Sequence, residues 1–309
     1  MKAVDVQNLT HRYGDRLALD AVTFSVEAGT LSALVGPNGG GKSTLFRILS
    51  TLVKPTEGTA LVFGADIVRD PREVRRRIGV VFQSPALDKK LSLRENLLHQ
   101  GHLYGMSGKA LSERIERLLK WIGLADRSAD KVEKLSGGLK RRVEIAKGLV
   151  PGPSLLLLDE PTTGLDPLAR REVWEALRSL QTTDGVTVLT TTHLLEEAEL
   201  CSQVALLNSG KIVAVGEPSA LRSSLGGDVI SLQAKDPQGL KSRIEAKFSL
   251  PVTVVDGIVR LEKKAGHEFV PALVGAFADE IQSVTVAKPT LEDFFIEKTG
   301  NRFWNAGAP

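Results

Sequence analysis

Gly36-Pro37-Asn38-Gly39-Gly40-Gly41-Lys42-Ser43-Thr44 sets four glycines before a lysine and two hydroxyls, the pattern GxxxxGK[ST]. Glycines let a backbone curl until successive N–H groups point inward at the oxygens of a phosphate. A helix predicted from Ser43 to Leu52 would add the partial positive charge of its N-terminus. Lys42 supplies a mobile cation for the outer phosphates of a nucleoside triphosphate, and the Ser43 hydroxyl suits a Mg²⁺ ion. A second pair, Asp159 and Glu160, follows the four leucines Leu155–Leu158. Two carboxylates at the end of a buried strand are costly unless something cationic sits there, and the Mg²⁺ of Mg·ATP would supply it. Asp159 then suits the metal's water shell, and Glu160, one residue on, suits polarisation of an attacking water.

A third feature is Leu135-Ser136-Gly137-Gly138-Leu139-Lys140-Arg141-Arg142. Ser136 stands where a helix N-cap belongs, and Leu139, Val143, Ala146 and Val150 recur at helical spacing. Glycines in the first turn leave N–H groups open to an anion, so a second phosphate-binding helix start is expected, with a plain cap as the alternative.

These residues must be positioned by a scaffold. Four apolar runs, Leu31–Val35, Gly79–Phe82, Leu155–Leu158 and Val186–Thr192, read as strands of a mainly parallel sheet flanked by helices. The glycine-rich turn, Gln83, Asp159-Glu160 and His193 all stand at their downstream ends. Ligands of open α/β sheets bind at the carboxyl ends of strands, so one site could collect all four. Between Gln83 and Pro153 the pattern turns helical (Leu93–Tyr104, Lys109–Ile122, Leu139–Val150), an insertion over about 84–153. The Gly/Ser-rich stretch Arg222–Asp228 reads as a linker, which divides the chain into a domain at 1–224 that holds all these motifs, an accessory domain at 225–304 and a tail at 305–309. Strand, helix, strand, strand, helix, strand in the accessory domain predict a small ferredoxin-like α+β fold.

Composition narrows the function. With 40 basic against 37 acidic residues, the net charge of +3 argues against an electrostatic nucleic-acid binder. The basic stretch Arg72–Arg77 reads as a solvated face leading into a strand. The single cysteine, Cys201, rules out a disulfide framework and a four-cysteine zinc site. The N-terminus shows no secretory h-region, and no apolar run approaches the ~20 residues that span a bilayer. Any membrane role is expected through a partner.

In their order along the chain, GPNGGGKST, LSGGLKRR, LLLLDEP, TTGLDP and TTH resemble the nucleotide-binding subunits of ABC transporters. The resemblance implies that Gly36–Thr44 is Walker A, LSGGLKRR the signature, Leu156–Glu160 Walker B, and Thr163–Asp166 the D-loop, with Asp166 at a dimer seam. It further implies a switch role for His193 at the γ-phosphate and an adenine-stacking role for Tyr13. Gln83 becomes the Q-loop residue that senses Mg²⁺ and the channel. Two copies would pack head to tail as a homodimer, Ser136, Gly137 and Gly138 of one closing over ATP held by the other. A separate membrane permease would be the second partner, placing the chain at the cytoplasmic face of the membrane.

More narrowly, SPALDKKLSLRENL after Gln83 and the ending KPTLEDFFIEKTG are similar to ATPases of drug exporters of the daunorubicin-resistance type. Departures are small: Gly40 replaces a common alanine, and Leu139-Lys140 a Met-Arg or Gln-Gln pair. The rival readings are a translation or DNA-repair ATPase, disfavoured by one P-loop, no sustained heptads and one cysteine, and an importer ATPase, disfavoured by the helices of the C-terminal part. His99 and His102 are spaced for a metal but have no third ligand and read as surface histidines. Trp121 and Trp174 read as packing residues. Phe294, Phe295, Phe303 and Trp304 form either a partner-binding stripe or an anchor for the last segment.

Overall fold

The computed structural model describes residues 1–300, 302 and 303. Two compact units divide the chain, one over Met1–Val215 and the other from Gly216 onward.

The first unit opens with the long strands β1 (Lys2–Tyr13) and β2 (Arg16–Glu27), and then β3 (Leu31–Val35), which is buried at every position. Helix α1 (Lys42–Leu49) follows, one residue earlier than expected and ending sooner. Next come β4 (Glu57–Val62), β5 (Ala65–Asp66), α2 (Pro71–Arg77) and β6 (Ile78–Val81). The basic stretch is therefore helix α2, and Arg77 bonds Glu73 and the carbonyl of Phe63. Helices α3 (Leu93–Leu103), α4 (Gly108–Trp121) and α5 (Gly137–Leu149) form the insertion between β6 and β7 (Leu155–Asp159). Ser92 and Glu95 start α3 with a reciprocal capping box. Helix α6 (Pro167–Asp184), β8 (Thr187–Thr192), the short α7 (Leu195–Ala198), β9 (Gln203–Asn208) and β10 (Lys211–Gly216) complete the succession.

The main sheet has the order β10-β9-β3-β8-β7-β6, and β9, β3, β8, β7 and β6 pair in parallel. A second, antiparallel sheet, β2-β1-β4-β5, was not foreseen. Leu45, Phe46, Ile48 and Leu49 of α1 lie in a core shared with Val4, Val6, Phe24, Leu34 and Leu157. The four leucines of β7 are each fully buried, worth roughly 2 kcal/mol apiece, as a central strand apolar on both faces requires.

The second unit holds α8 (Pro218–Ser223), β11 (Asp228–Ala234), α9 (Pro237–Phe248), β12 (Val252–Val255), β13 (Ile258–Lys263), α10 (Gly266–Ala276), β14 (Ile281–Ala287) and α11 (Leu291–Thr299). Its antiparallel sheet has the order β12-β13-β11-β14, and Leu240, Ile244 and Leu273 pack with Ile230, Leu232 and Val259 in one core. The unit begins upstream of the expected boundary, because the stretch read as a linker is built into it. Gly226 N–H donates to Glu262 at 3.0 Å. A Cβ on Gly227 would sit 2.4 Å from the backbone of Lys263, so the chain is pressed against β13 there. Asp228 is buried and accepts from Gly266 N–H and Lys288. Phe294, Phe295 and Phe303 are buried, with the rings of Phe295 and Phe303 5.0 Å apart, so they anchor the last helix and form no exposed stripe. Trp304 and the tail at 305–309 lie outside the described residues.

Candidate functional site

Strand β3 runs straight into the glycine turn, and close packing dictates its residue types. A Cβ on Gly36 would lie 2.2 Å from the carbonyl oxygen of Leu207, so only glycine fits. Gly41 adopts φ 106° and presses on Ala18 and Leu19, again excluding a side chain. Lys42 is 4% exposed and donates to the carbonyls of Gly36 (2.7 Å) and Pro37 (3.0 Å). Burial pulls its pKa below the ordinary lysine value, against the Glu160 carboxylate 3.5 Å away.

Strands β7 and β8 end side by side, Asp159 opposite Thr191. The Thr191 hydroxyl donates to Asp159 Oδ1 at 2.6 Å and accepts from the Glu160 N–H at 3.0 Å. Burial raises the Asp159 pKa, with the Thr191 hydrogen bond working against it. Glu160 has φ 44°, a left-handed conformation rare for a side chain of this size, and its carboxylate turns into the site. Three groups meet its Oε2: His193 Nδ1 at 3.1 Å, the Thr163 hydroxyl at 3.0 Å and the Gln83 amide at 3.5 Å.

A cleft of about 570 Å³ opens above these groups. Its lining includes Tyr13, Asn38, Gly39, Gly41, Lys42, Ser43, Thr44, Gln83, Glu160 and His193, all foreseen, together with Thr163, expected only as the start of the D-loop, and Arg16 and Ala18, which were not foreseen. Gly36, Pro37, Gly40 and Asp159 do not line it: the carbonyls of Gly36 and Pro37 hold Lys42 from behind, and Asp159 is buried next to the lining residue Glu160. Ser43, Gln83 and Asp159 offer a hydroxyl, an amide and a carboxylate, an all-oxygen set that suits a small hard cation with phosphate oxygens completing its shell. No cluster of three or more His, Cys, Asp or Glu able to hold a metal occurs among the described residues.

Ser136, Gly137, Gly138 and Asp166 are not brought to this cleft. Ser136 caps α5 by accepting from Leu139 N–H at 3.4 Å, and Asp166 caps α6 by accepting from Ala169 N–H at 2.9 Å. Gly138 packs so tightly on α6 that a Cβ there would lie 2.5 Å from that of Ala169. Gly137 lines an adjoining cleft of about 310 Å³ that shares Gln83, Glu160 and Thr163 with the first.

Sequence reasoning missed Arg141. Its buried guanidinium donates to the carbonyls of Phe82, Asp159 and Pro161 and to the Glu144 carboxylate at 2.7–3.1 Å. One side chain thus fixes the start of α5 to the ends of β6 and β7. Glu144 accepts from Ala86 N–H, extending the tie to the segment after Gln83. Also unforeseen is His11, buried with its ring edge against Tyr13 at 4.5 Å. His99 and His102 are exposed, their rings 6.5 Å apart. Burial pushes the Cys201 thiol up to about 12, which leaves it inert.

Comparison with known proteins places this geometry. The ABC transporter family matches residues 19–163, and an AAA domain family matches 139–199. The chain is 38% identical over 306 residues to the daunorubicin resistance ATP-binding protein DrrA3 of Streptomyces coeruleorubidus, covering 97% of this chain and 96% of the relative. It is 43% identical over 245 residues to the Nod factor export ATP-binding protein I of Burkholderia lata, covering 79% and 80%. Among solved structures, a dimeric ATP-binding cassette in a post-hydrolysis state with ADP and Pi superposes with a TM-score of 0.61 at 32% identity, covering 69% of this chain and 98% of that one.

Proposed function

The chain belongs to the ATP-binding subunits of ABC transporters, and from that premise we propose that its ATP hydrolysis powers export through a separate membrane permease at the cytoplasmic face of the membrane. The observation that carries this reading is the convergence of four strand ends on one cleft, where Lys42, Gln83, Glu160 and His193 face the same space. Lys42 and the N–H groups of Gly36–Thr44 bind the phosphates, and Tyr13 offers its exposed ring face to adenine. Glu160 accepts the proton of the attacking water, and His193, on its carboxylate, holds it in place and reaches the γ-phosphate. Ser43, Gln83 and Asp159 would hold Mg²⁺, which would neutralise charge building on the phosphates when bound.

Ser136–Gly138 and Asp166 serve the site of a second copy. Their absence from the lining of their own chain's cleft supports this, as does the dimeric state of the similar cassette. For the permease, the support is the export named in the relatives and an apolar groove beside Gln83. Leu52 and Tyr104 line that groove, and both are exposed. No helix among the described residues is long and apolar enough to cross a membrane. The sheet order β12-β13-β11-β14 supports a ferredoxin-like fold for the accessory domain, and its role is to tune the motor, since every residue lining the cleft belongs to the first unit.

Light scattering of Glu160→Gln tests the sandwich: the protein should gain mass toward a dimer on adding Mg·ATP. No ATP-dependent change would remove the shared site. Export in cells carrying the cognate permease, lost in the same variant, tests the coupling.

A further inference from the structure

Glu197, on the short helix α7, is a charged residue with no task among the phosphate, metal and adenine contacts. It is 2% exposed, and both its carboxylate oxygens are engaged: Oε1 accepts from the Thr162 hydroxyl at 2.5 Å and Oε2 from the Thr192 hydroxyl at 2.6 Å. Arg170 Nε stands 3.7 Å from Oε1 as its counter-charge. An apolar side chain would fill such a place without desolvating a charge, so a carboxylate here calls for a reason beyond packing.

The two hydroxyls supply it. Thr192 immediately precedes His193, and its Oγ1 also accepts from Leu194 N–H at 3.0 Å, so it fixes the backbone on both sides of the histidine. Thr162 immediately precedes Thr163 and starts the turn in which Leu165 N–H donates back to its carbonyl. His193 and Thr163 are two of the groups that hold Glu160 Oε2. Glu197 therefore closes a ring from Glu160 through His193 and Thr192, across its own carboxylate, and back through Thr162 and Thr163. The other face of the same strand end is tied separately, Thr191 holding Asp159 and the Glu160 N–H.

We propose that Glu197 is a positioning residue for ATP hydrolysis: by bridging Thr162 and Thr192 it sets the two contacts that aim the Glu160 carboxylate. Its position also couples the turn leading to Asp166 with the His193 loop, so that displacement of one is felt by the other. This rests on the roles assigned above to Glu160 and His193.

The test is single-turnover ATP hydrolysis by the full-length protein, with ATP affinity measured on the same samples. Thr162→Val removes one arm of the bridge at nearly constant volume, and Glu197→Gln turns an amide donor toward one hydroxyl. Each should slow hydrolysis about 10- to 100-fold, with the ATP dissociation constant unchanged. Thr162→Ser, which keeps the hydroxyl, should restore the rate. In a His193→Ala background, Thr162→Val should cost less than it does alone, because the contact it aims is already gone. A normal rate in both Thr162→Val and Glu197→Gln would overturn the proposal, as would equal fold-losses in the two backgrounds or weakened ATP binding as the only effect. A His193→Ala protein that hydrolyses normally would instead remove the role of His193 itself, and this inference with it.

Discussion

Among the described residues of the first unit, Lys42, Arg141, Glu144, Asp159 and Glu197 are all buried, while the second unit buries Asp228. In the first, the charged groups gather at the ends of β6, β7 and β8 and hold one another: Lys42 faces Glu160, Arg141 grips Glu144 and three carbonyls, and Glu197 spans two threonines. In the second, the charges close seams. Asp228 joins the start of α10 to Lys288, and Arg260 of β13 pairs with Asp293 of α11. Removing a charge from the first unit should therefore disturb chemistry more than folding, and removing one from the second should do the reverse.

The widest gap between the two is expected at Glu160. Glu160→Gln should lower turnover by about 10²- to 10⁴-fold, the loss of a general base, while ATP affinity holds. Near-normal turnover in the purified variant would take that role from Glu160. Lys42→Ala strips a buried cation from the phosphate loop and should weaken ATP binding roughly ten- to a hundredfold, read by calorimetry. An unchanged dissociation constant would contradict the phosphate-loop assignment.

Arg260→Ala probes the other side of the comparison. It takes the ion-pair partner from Asp293, whose other oxygen stays on Thr290, and should destabilise the second unit by up to about 3 kcal/mol. ATP affinity should not move, and a loss of nucleotide binding in a still-folded Arg260→Ala protein would erase the contrast. At Tyr13, Ala should cost about 1–3 kcal/mol of adenine-nucleotide affinity and Phe almost nothing, since stacking uses the ring face. Equal damage from Phe and Ala would put the hydroxyl in the role instead.

Much of the first unit's site was legible because its chemistry is written in residue types at strand ends. A run such as Leu155–Leu158 can only be a buried strand of this kind, and the two carboxylates beyond its end must face a ligand or be paired. The glycines of the phosphate turn were equally legible, since Gly36 and Gly41 answer to steric limits that no other residue meets. Arg141 was not, because three of its acceptors are backbone carbonyls, at Phe82, Asp159 and Pro161, and carbonyls carry no residue-type signal. Glu197 was hidden for a related reason: its partners are ordinary threonines, Thr162 and Thr192, the first distant in sequence. The antiparallel sheet escaped notice because β1 and β2 pair through repeated register shifts that break strict alternation. Gly226-Gly227 misled in the opposite direction. The sequence reads as a flexible linker, yet Gly227 is glycine because the backbone of Lys263 passes too close for a Cβ.

The most direct test of the contrast between the units is the ATP affinity of a chain truncated after Glu217, measured beside the full-length protein by calorimetry, with circular dichroism to establish that the truncation is folded. All the phosphate, metal and adenine contacts assigned here lie before Leu194, so the two dissociation constants should agree. Complete loss of ATP binding in a folded truncation would make the second unit part of the nucleotide site and contradict the account.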